Sequence, residues 1–230
     1  MLAGISTEYY LRLEQGRERQ PSDQVLEALA QALQLDNDAV QYMRNLTRPA
    51  PRPRAVVERV DPGISTLISS WPLTPAYVLD RRMTILTANS LAQALVPFFG
   101  AQVNLLWATF MEPELRERVG NWDAVTEITV SWLRYLVAED NNCDLELQSL
   151  IGELSVASPR FHSLWARQDV KQKTGGPALF DHPQVGPMEL RYRVFVLPDV
   201  RQTLVAYYPE SGSPSEEALR LLSSLAQPSA

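Results

Sequence analysis

Cysteine occurs once in these 230 residues, at Cys143, and histidine twice, at His162 and His182. A single thiol excludes an internal disulfide and a cysteine-cluster metal site, and two isolated imidazoles are too few for a histidine-based one. No apolar run reaches the length of a membrane span, and no basic stretch followed by an apolar one opens the chain. Neither a spanning helix, a signal peptide nor any membrane association is therefore expected, and the expected compartment is the cytoplasm. The sequence also lacks a G-x-S-x-G elbow, a Walker A loop, a dinucleotide-binding glycine fingerprint and H-E-x-x-H. Carboxylate pairs such as Glu112/Glu114 and Glu139/Asp140 fall at expected helix ends, where water solvates them, and Gly175-Gly176-Pro177 reads as a turn. An enzyme is not expected, and no catalytic residue, metal or cofactor is assigned.

Apolar residues at 45% and charged ones at 21% are those of a folded globular chain. The length suffices for one small and one medium unit, each with a core. The acidic excess belongs to the residues beyond 60, whereas the first sixty are close to balanced. That distribution argues against nucleic acid contact by the C-terminal part and leaves it open for the N-terminal part, where Arg12, Arg17 and Arg19 cluster.

The stretch Ala3 to Gly16, AGISTEYYLRLEQG, has the form of a turn followed by a short helix. Ser6 is placed to cap a helix over Thr7–Gln15, and Gly16 follows as a stop. At 100° per residue, Tyr9, Tyr10 and Leu13 share one side, and Thr7, Glu8, Leu11 and Arg12 share the other. With the following RERQPS and DQVLEALAQAL, the stretch resembles the repressor-type (XRE/Cro-like) helix-turn-helix DNA-binding domain. The resemblance implies that Tyr10 and Leu13 are core, that Thr7, Glu8 and Arg12 meet base edges, and that Ser6 and Tyr9 lie nearer phosphates. Arg12 would pair with guanine O6 and N7 and Glu8 would accept from cytosine N4, while Arg17 and Arg19 would hold the backbone. An amphipathic helix with a solvated charged face is the plainer alternative. Such a domain has a first helix and a full second helix ahead of its turn, so the chain is expected to begin inside the second and to bind an operator weakly as written.

Helices are expected over Asp23–Gln34, with Val25, Leu26, Leu29, Ala30 and Leu33 in one stripe, and over Asn37–Leu46, capped by Asp36, with Val40, Met43 and Leu46 inward. The prolines alternating with arginines from Arg48 to Arg54 cannot continue a helix, which makes residues 48–61 a linker between a unit at 1–47 and another at 62–230. Its arginines either graze phosphates or are simply solvated. Beyond it, a helix is expected at Ile64–Ser70, then strands at Pro75–Asp80 and Met83–Ala88 joined at Arg81-Arg82. A block of helices follows: Ser90–Val96, Leu105–Met111, Pro113–Val119, Trp122–Ala138, Leu145–Ala157 and Pro159–Gln168. Strands return at Ala178–His182, at Met188–Leu197 with period two, and at Thr203–Tyr208 after a turn at Pro198-Asp199. A helix at Ser213–Ala226 closes the chain. This order predicts an α+β fold, an antiparallel sheet covered on one side by the helical block and preceded by an all-α unit.

TPAYVLDRRMTILTANSLAQAL, LWARQDV, DHPQVGPMELRYRVF and YYPESGSPSEEALRLL resemble the ligand-binding domain of MmyB-like transcription regulators, from about Ile64 to the C-terminus. That resemblance implies a PAS-like domain: a five-stranded antiparallel sheet and helices enclosing an apolar cavity for a small, lipid-like or fatty-acyl molecule. Relatives commonly have a histidine in the tract where this chain has Gln168. Candidate wall residues from the helical block are Phe98, Leu106, Trp107, Phe110, Trp132, Tyr135, Leu136, Phe161 and Trp165. Tyr192, Val194 and Tyr207 face them from strands. Plain core packing accounts for the same bulky residues and stays open for each. His182, within DHPQVG, is a better ligand candidate than His162, although the role expected of it first is structural, tying the start of a strand through a ring N–H. The combined expectation is a one-component regulator: a homodimer on double-stranded DNA whose small apolar ligand modulates operator binding. A stand-alone ligand-binding or interaction protein with a remnant of DNA-binding sequence is the alternative.

Overall fold

The computed structural model describes residues 5–15, 17, 21–47, 60–139, 144–197 and 202–226. Three helices come first: α1 (Thr7–Glu14), α2 (Asp23–Ala32) and α3 (Asn37–Thr47). Each starts on a side-chain cap that satisfies a free amide of the first turn. Ser6 accepts from Tyr9 N, Ser22 from Val25 N, and Asp36 Oδ1 from Ala39 N at 2.8 Å. Leu26 and Ala30 of α2 are buried where α2 and α3 meet, and Arg44 reaches Glu27 at 3.2 Å. Leu33, expected in the same stripe, is exposed because α2 has already ended and Gln34 turns the chain at φ 52°. Tyr10, expected as core, is 36% exposed, Leu13, expected likewise, is half-buried, and α1 buries none of its residues. Ala3, Gly4, Gly16, Arg19, most of the Pro/Arg linker, the Pro198-Asp199 turn and the Leu46 side chain lie outside what is described.

Residues 60–226 form an α+β layout. After α4 (Pro62–Ser69), strands β1 (Ala76–Leu79) and β2 (Ile85–Ala88) make a hairpin. Its turn is held by Asp80 Oδ1, which accepts from Arg82 N at 2.8 Å and Thr84 N at 2.7 Å. The helical block follows: α5 (Ser90–Leu95), a 3-10 turn at Pro97–Phe99, α6 (Leu105–Met111), α7 (Pro113–Arg118), α8 (Trp122–Glu139), α9 (Leu145–Ala157) and α10 (Pro159–Ala166). Then come β3 (Gly175–His182), β4 (Gly186–Leu197), β5 (Gln202–Pro209) and α11 (Pro214–Ala226). Gly175, Gly176 and Pro177, expected as a turn, instead open β3, paired with Arg193, Tyr192 and Arg191 of β4. A Cβ on Gly175 would come within 2.6 Å of Tyr192 O, so glycine here permits a close strand approach.

The five strands lie in the order β2-β1-β5-β4-β3, every neighbour antiparallel, which puts the last strand in the middle. Burial follows from that placement. On β4 the pattern alternates, with Met188, Leu190 and Tyr192 inward and Glu189, Arg191 and Arg193 in water. On β1 and β5 both faces are covered, so the alternation vanishes. Tyr77, Leu79, Val205 and Tyr207 join the main core under the helices, while Ala76, Val78, Leu204 and Ala206 pack with Ile68 of α4 on the reverse face. Buried Asn89 knits these layers together. Its Oδ1 accepts from Ala76 N and Ala92 N, and its Nδ2 donates to Ile68 O and Thr74 O. On the far side of the block, α8 contacts α3, the one described point where the N-terminal helices meet the sheet-bearing part in number. No described helix is long and apolar enough to cross a membrane.

Candidate ligand cavity

Between the sheet and the helical block lies a cavity of about 240 Å³. Its floor is aromatic. Tyr77 of β1, Tyr207 of β5, Tyr192 of β4 and Phe180 of β3 project from inward positions of four strands, and Phe99 of the 3-10 turn closes over them. Phe99 stacks on Tyr207 at 5.8 Å between ring centroids, Tyr77 sits 4.9 Å from Phe99, and Tyr192 5.9 Å from Tyr207. The hydroxyls of Tyr77 and Tyr207 are 3.2 Å apart, and burial pushes both phenols above their ordinary pKa. Tyr192 is raised for the same reason. All three therefore stay neutral, with O–H groups as donors, across the physiological range.

The roof comes chiefly from the first half of α8. Trp122, Val125, Ile128 and Thr129 recur at helical spacing, so one face of the helix looks into the cavity. Trp122 Nε1 donates to Thr109 O of α6 at 2.9 Å, and the Arg116 guanidinium lies 4.5 Å from its ring, which fixes the start of the helix. The turn before it is tied to β3: Gly120 N donates to Leu179 O at 2.9 Å, and Leu179 N to Asn121 Oδ1 at 3.3 Å. Gly175, Gly176, Pro177 and Ala178 form the β3 side of the opening. A Cβ on Gly176 would stand 3.5 Å from the Tyr192 ring, so the absence of side chains there keeps space free.

Among the described residues one cation lines this apolar space, Lys173, on the loop between α10 and β3. That loop is pinned by Lys171 N donating to Ser131 O and Val194 N donating to Thr174 O. The Lys173 ammonium stands 5.0 Å from the Tyr192 ring centroid and 5.4 Å from that of Trp132. No Asp or Glu among the described residues lines the cavity, and burial pulls the ammonium down to about 8. A lysine disfavoured as a cation in the fold opposes folding wherever it is protonated in both states. That penalty is complete below pH 8 and disappears as pH rises toward the ordinary value of 10.5. Lys173→Met is expected to stabilise the ligand-free protein at pH 7 by about 1–2 kcal/mol, after allowing for partial exposure and the lost ring contacts. The gain should shrink between pH 8 and pH 10, as read from melting temperatures across that range.

Of the residues singled out in the sequence, the cavity gathers Tyr192 and Tyr207, with Trp132 one ring away behind Lys173. Phe110 instead meets Phe161 edge-on at 5.1 Å, Phe161 stacks on Trp165 at 5.9 Å, and the Arg134 guanidinium lies over the Trp165 ring, joining α6 to α10. Tyr135 and Leu106 are buried in the core; Trp107, Phe98, Leu136 and Val194 are half-buried against it. His162 is exposed. His182 ends β3 and does not line the cavity: its Nδ1 accepts from Gln184 N, so its Nε2–H donates to Ala94 O at 3.0 Å. Burial depresses its pKa, in keeping with a neutral ring tying the β3–β4 turn to α5. On α1, Ser6, Thr7, Glu8 and Arg12 are exposed, as is Arg17 beyond it, and Tyr9 is half-buried with Arg12 5.8 Å from its ring. The structural tie expected of His182 falls at the end of β3 rather than the start of a strand; Lys173, Tyr77 and the start of α8 are not among the residues the sequence singles out. Lysine scarcity was the available signal: Lys171 and Lys173 are the only lysines in a chain rich in arginine.

Among the described residues no group of three or more His, Cys, Asp or Glu side chains could hold a metal ion. A family model described as the MmyB-like transcription regulator ligand binding domain matches residues 60–222. No curated protein matches the chain.

Proposed function

The chain belongs to the MmyB-like transcription regulator ligand binding domain family through residues 60–222, and on that premise we propose a one-component regulator whose cavity holds a small apolar molecule that modulates operator binding. The observation that carries the reading is the cavity itself, about 240 Å³ and lined mainly by aromatic and aliphatic groups with a few polar ones. Such concavity with sparse polar contacts is how proteins take up small apolar ligands.

DNA would be met by α1, whose exposed face carries Thr7, Glu8 and Arg12 next to the capping Ser6, with Arg17 just beyond. Two protomers would set their α1 helices in successive major grooves. Coupling has a physical route in α8, because its first half roofs the cavity and the same helix contacts α3. A ligand that favours one position of α8 by about 1–3 kcal/mol would bias the placement of the N-terminal helices to that extent.

Selection from a random duplex pool on the full chain tests the DNA part. A recurrent motif is expected, with affinity reduced about tenfold to a hundredfold by Arg12→Ala through loss of a bidentate base contact. Absence of any enriched motif would overturn the operator reading. The second reading, a ligand-binding protein that does not engage DNA, would then stand, and one observation favours it: α1 buries none of its own residues.

A further inference from the structure

Lys173 is a lysine without a counter-charge. Among the described residues no ion pair holds its ammonium and no Asp or Glu lines the cavity; the ring faces of Trp132 at 5.4 Å and Tyr192 at 5.0 Å stand beside it. The loop that carries it is fixed on both sides, by Lys171 N on Ser131 O and by Val194 N on Thr174 O, so a set backbone presents the side chain to the cavity. Just beyond it, Gly175 and Gly176 leave the β3 side of the opening free of side chains, and Lys173 itself is half-buried.

That placement suits chemistry as well as charge. A lysine in apolar surroundings with no acid beside it gives up its proton more readily than one in water, and the free amine is a nucleophile. Arginine, which supplies nearly all the other positive charge of this chain, could not act so, because its guanidinium stays protonated. Lys171, the other lysine, is exposed and serves as a reference within the same molecule.

We propose that Lys173 is a covalent capture site for small aldehydes, which its amine binds as an imine while the remainder of the aldehyde enters the cavity beneath Val125 and Ile128. The nitrogen attacks the carbonyl carbon, its two hydrogens leave with the carbonyl oxygen as one water molecule, and a C=N bond replaces C=O. No oxidant or reductant is consumed. The neutral imine removes a charge from surroundings that disfavour one, and Tyr77, Phe99 and Val125 shield it from the water that would hydrolyse it. Capture rests on the cavity admitting a guest, but not on that guest regulating DNA binding.

The test incubates the full chain at pH 7.5 with acetaldehyde or hexanal and cyanoborohydride, which reduces imines to stable amines, and reads the labelled positions by peptide mass spectrometry. Lys173 is expected to be labelled about tenfold or more faster than Lys171, since lowering an amine by about two pKa units multiplies its reactive fraction roughly a hundredfold and an enclosed position returns part of that. Hexanal should widen the gap about tenfold further than acetaldehyde, because its extra methylenes are buried. In urea the two lysines should react alike. Labelling of Lys171 as fast as Lys173 in the folded chain would overturn the proposal, and so would a gap of the same size for both aldehydes. Titration with 1-octanol, which forms no imine, reports separately on whether the cavity takes a guest at all.

Discussion

Asn89→Ala is expected to destabilise the protein by about 4 kcal/mol and to lower its melting temperature by about 10 °C. The side chain is buried, and each of its polar atoms is used twice. Oδ1 accepts from Ala76 N at 3.1 Å and from Ala92 N at 2.9 Å; Nδ2 donates to Ile68 O at 3.0 Å and to Thr74 O at 2.8 Å. Alanine would orphan two amides and the Thr74 carbonyl at the junction of α4, β1 and α5, while Ile68 O keeps only its longer bond from Trp71 N at 3.3 Å. An unpaired buried polar group costs about 1–3 kcal/mol, so even partial rehydration leaves a large loss. Asn89→Asp is the discriminating companion, since it keeps the acceptor but sets a carboxyl oxygen against two carbonyl oxygens. It too should unfold early at pH 7 and recover part of the loss at acidic pH, where the protonated acid regains one donor. Chemical denaturation that showed either variant within 1 kcal/mol of the native chain would refute this account of how the layers are joined.

Ala178→Phe should empty the cavity of its guest. Ala178 faces inward on β3, opposite Leu190 of β4, and its methyl forms part of the wall. A phenyl ring there occupies space that a ligand would otherwise fill; excluding four methylenes alone removes about 3 kcal/mol of binding, roughly a hundredfold. Stability should hold or rise, because the ring replaces empty space with contacts. Ile128→Trp makes the same intrusion from α8 on the opposite wall and keeps the test available if β3 cannot carry the ring. Native mass spectrometry of protein purified in parallel should show a bound adduct on the native chain and none on either variant, and titration with 1-octanol should show the same loss. An adduct retained by both folded variants would place the ligand elsewhere.

Local signals in the sequence were strong where local physics decides structure. Ser6 and Asp36 announced two caps, and each makes the bond its position suggested; Asp80, expected at the end of a strand, holds the hairpin turn instead. Period two in Met188, Leu190 and Tyr192 identified β4, because that strand has one wet face. The same signal was mute on β1 and β5, which are covered on both sides and so carry apolar residues at every step. Spacing also tells which side of a helix is apolar but not which neighbour it meets. Phe161 and Trp165 turn toward Phe110 and Arg134, whereas Trp122 and Ile128, no more apolar, turn toward the cavity. Gly175 and Gly176 carry two meanings, a bend or a place where chains pass closely, and only the partner strand chooses between them. Pattern yielded the five strands and their antiparallel sheet; family resemblance supplied what pattern did not, the expectation of a hollow.

The position of β5 governs the order in which this molecule can be built. β1 with β2 and β4 with β3 are hairpins that local chain can close, but they do not pair with each other: β5 is the rail to which both are fastened, through Tyr77↔Val205 on one side and Val194↔Val205 on the other. More than a hundred residues of chain separate the first strand from that rail, which raises contact order and slows folding. During synthesis on a ribosome the N-terminal helices would emerge and organise long before the last strand arrived. Until then the sheet-bearing part would be two unattached ribbons with their aromatic faces open to water, a window in which chaperones would be its first partners.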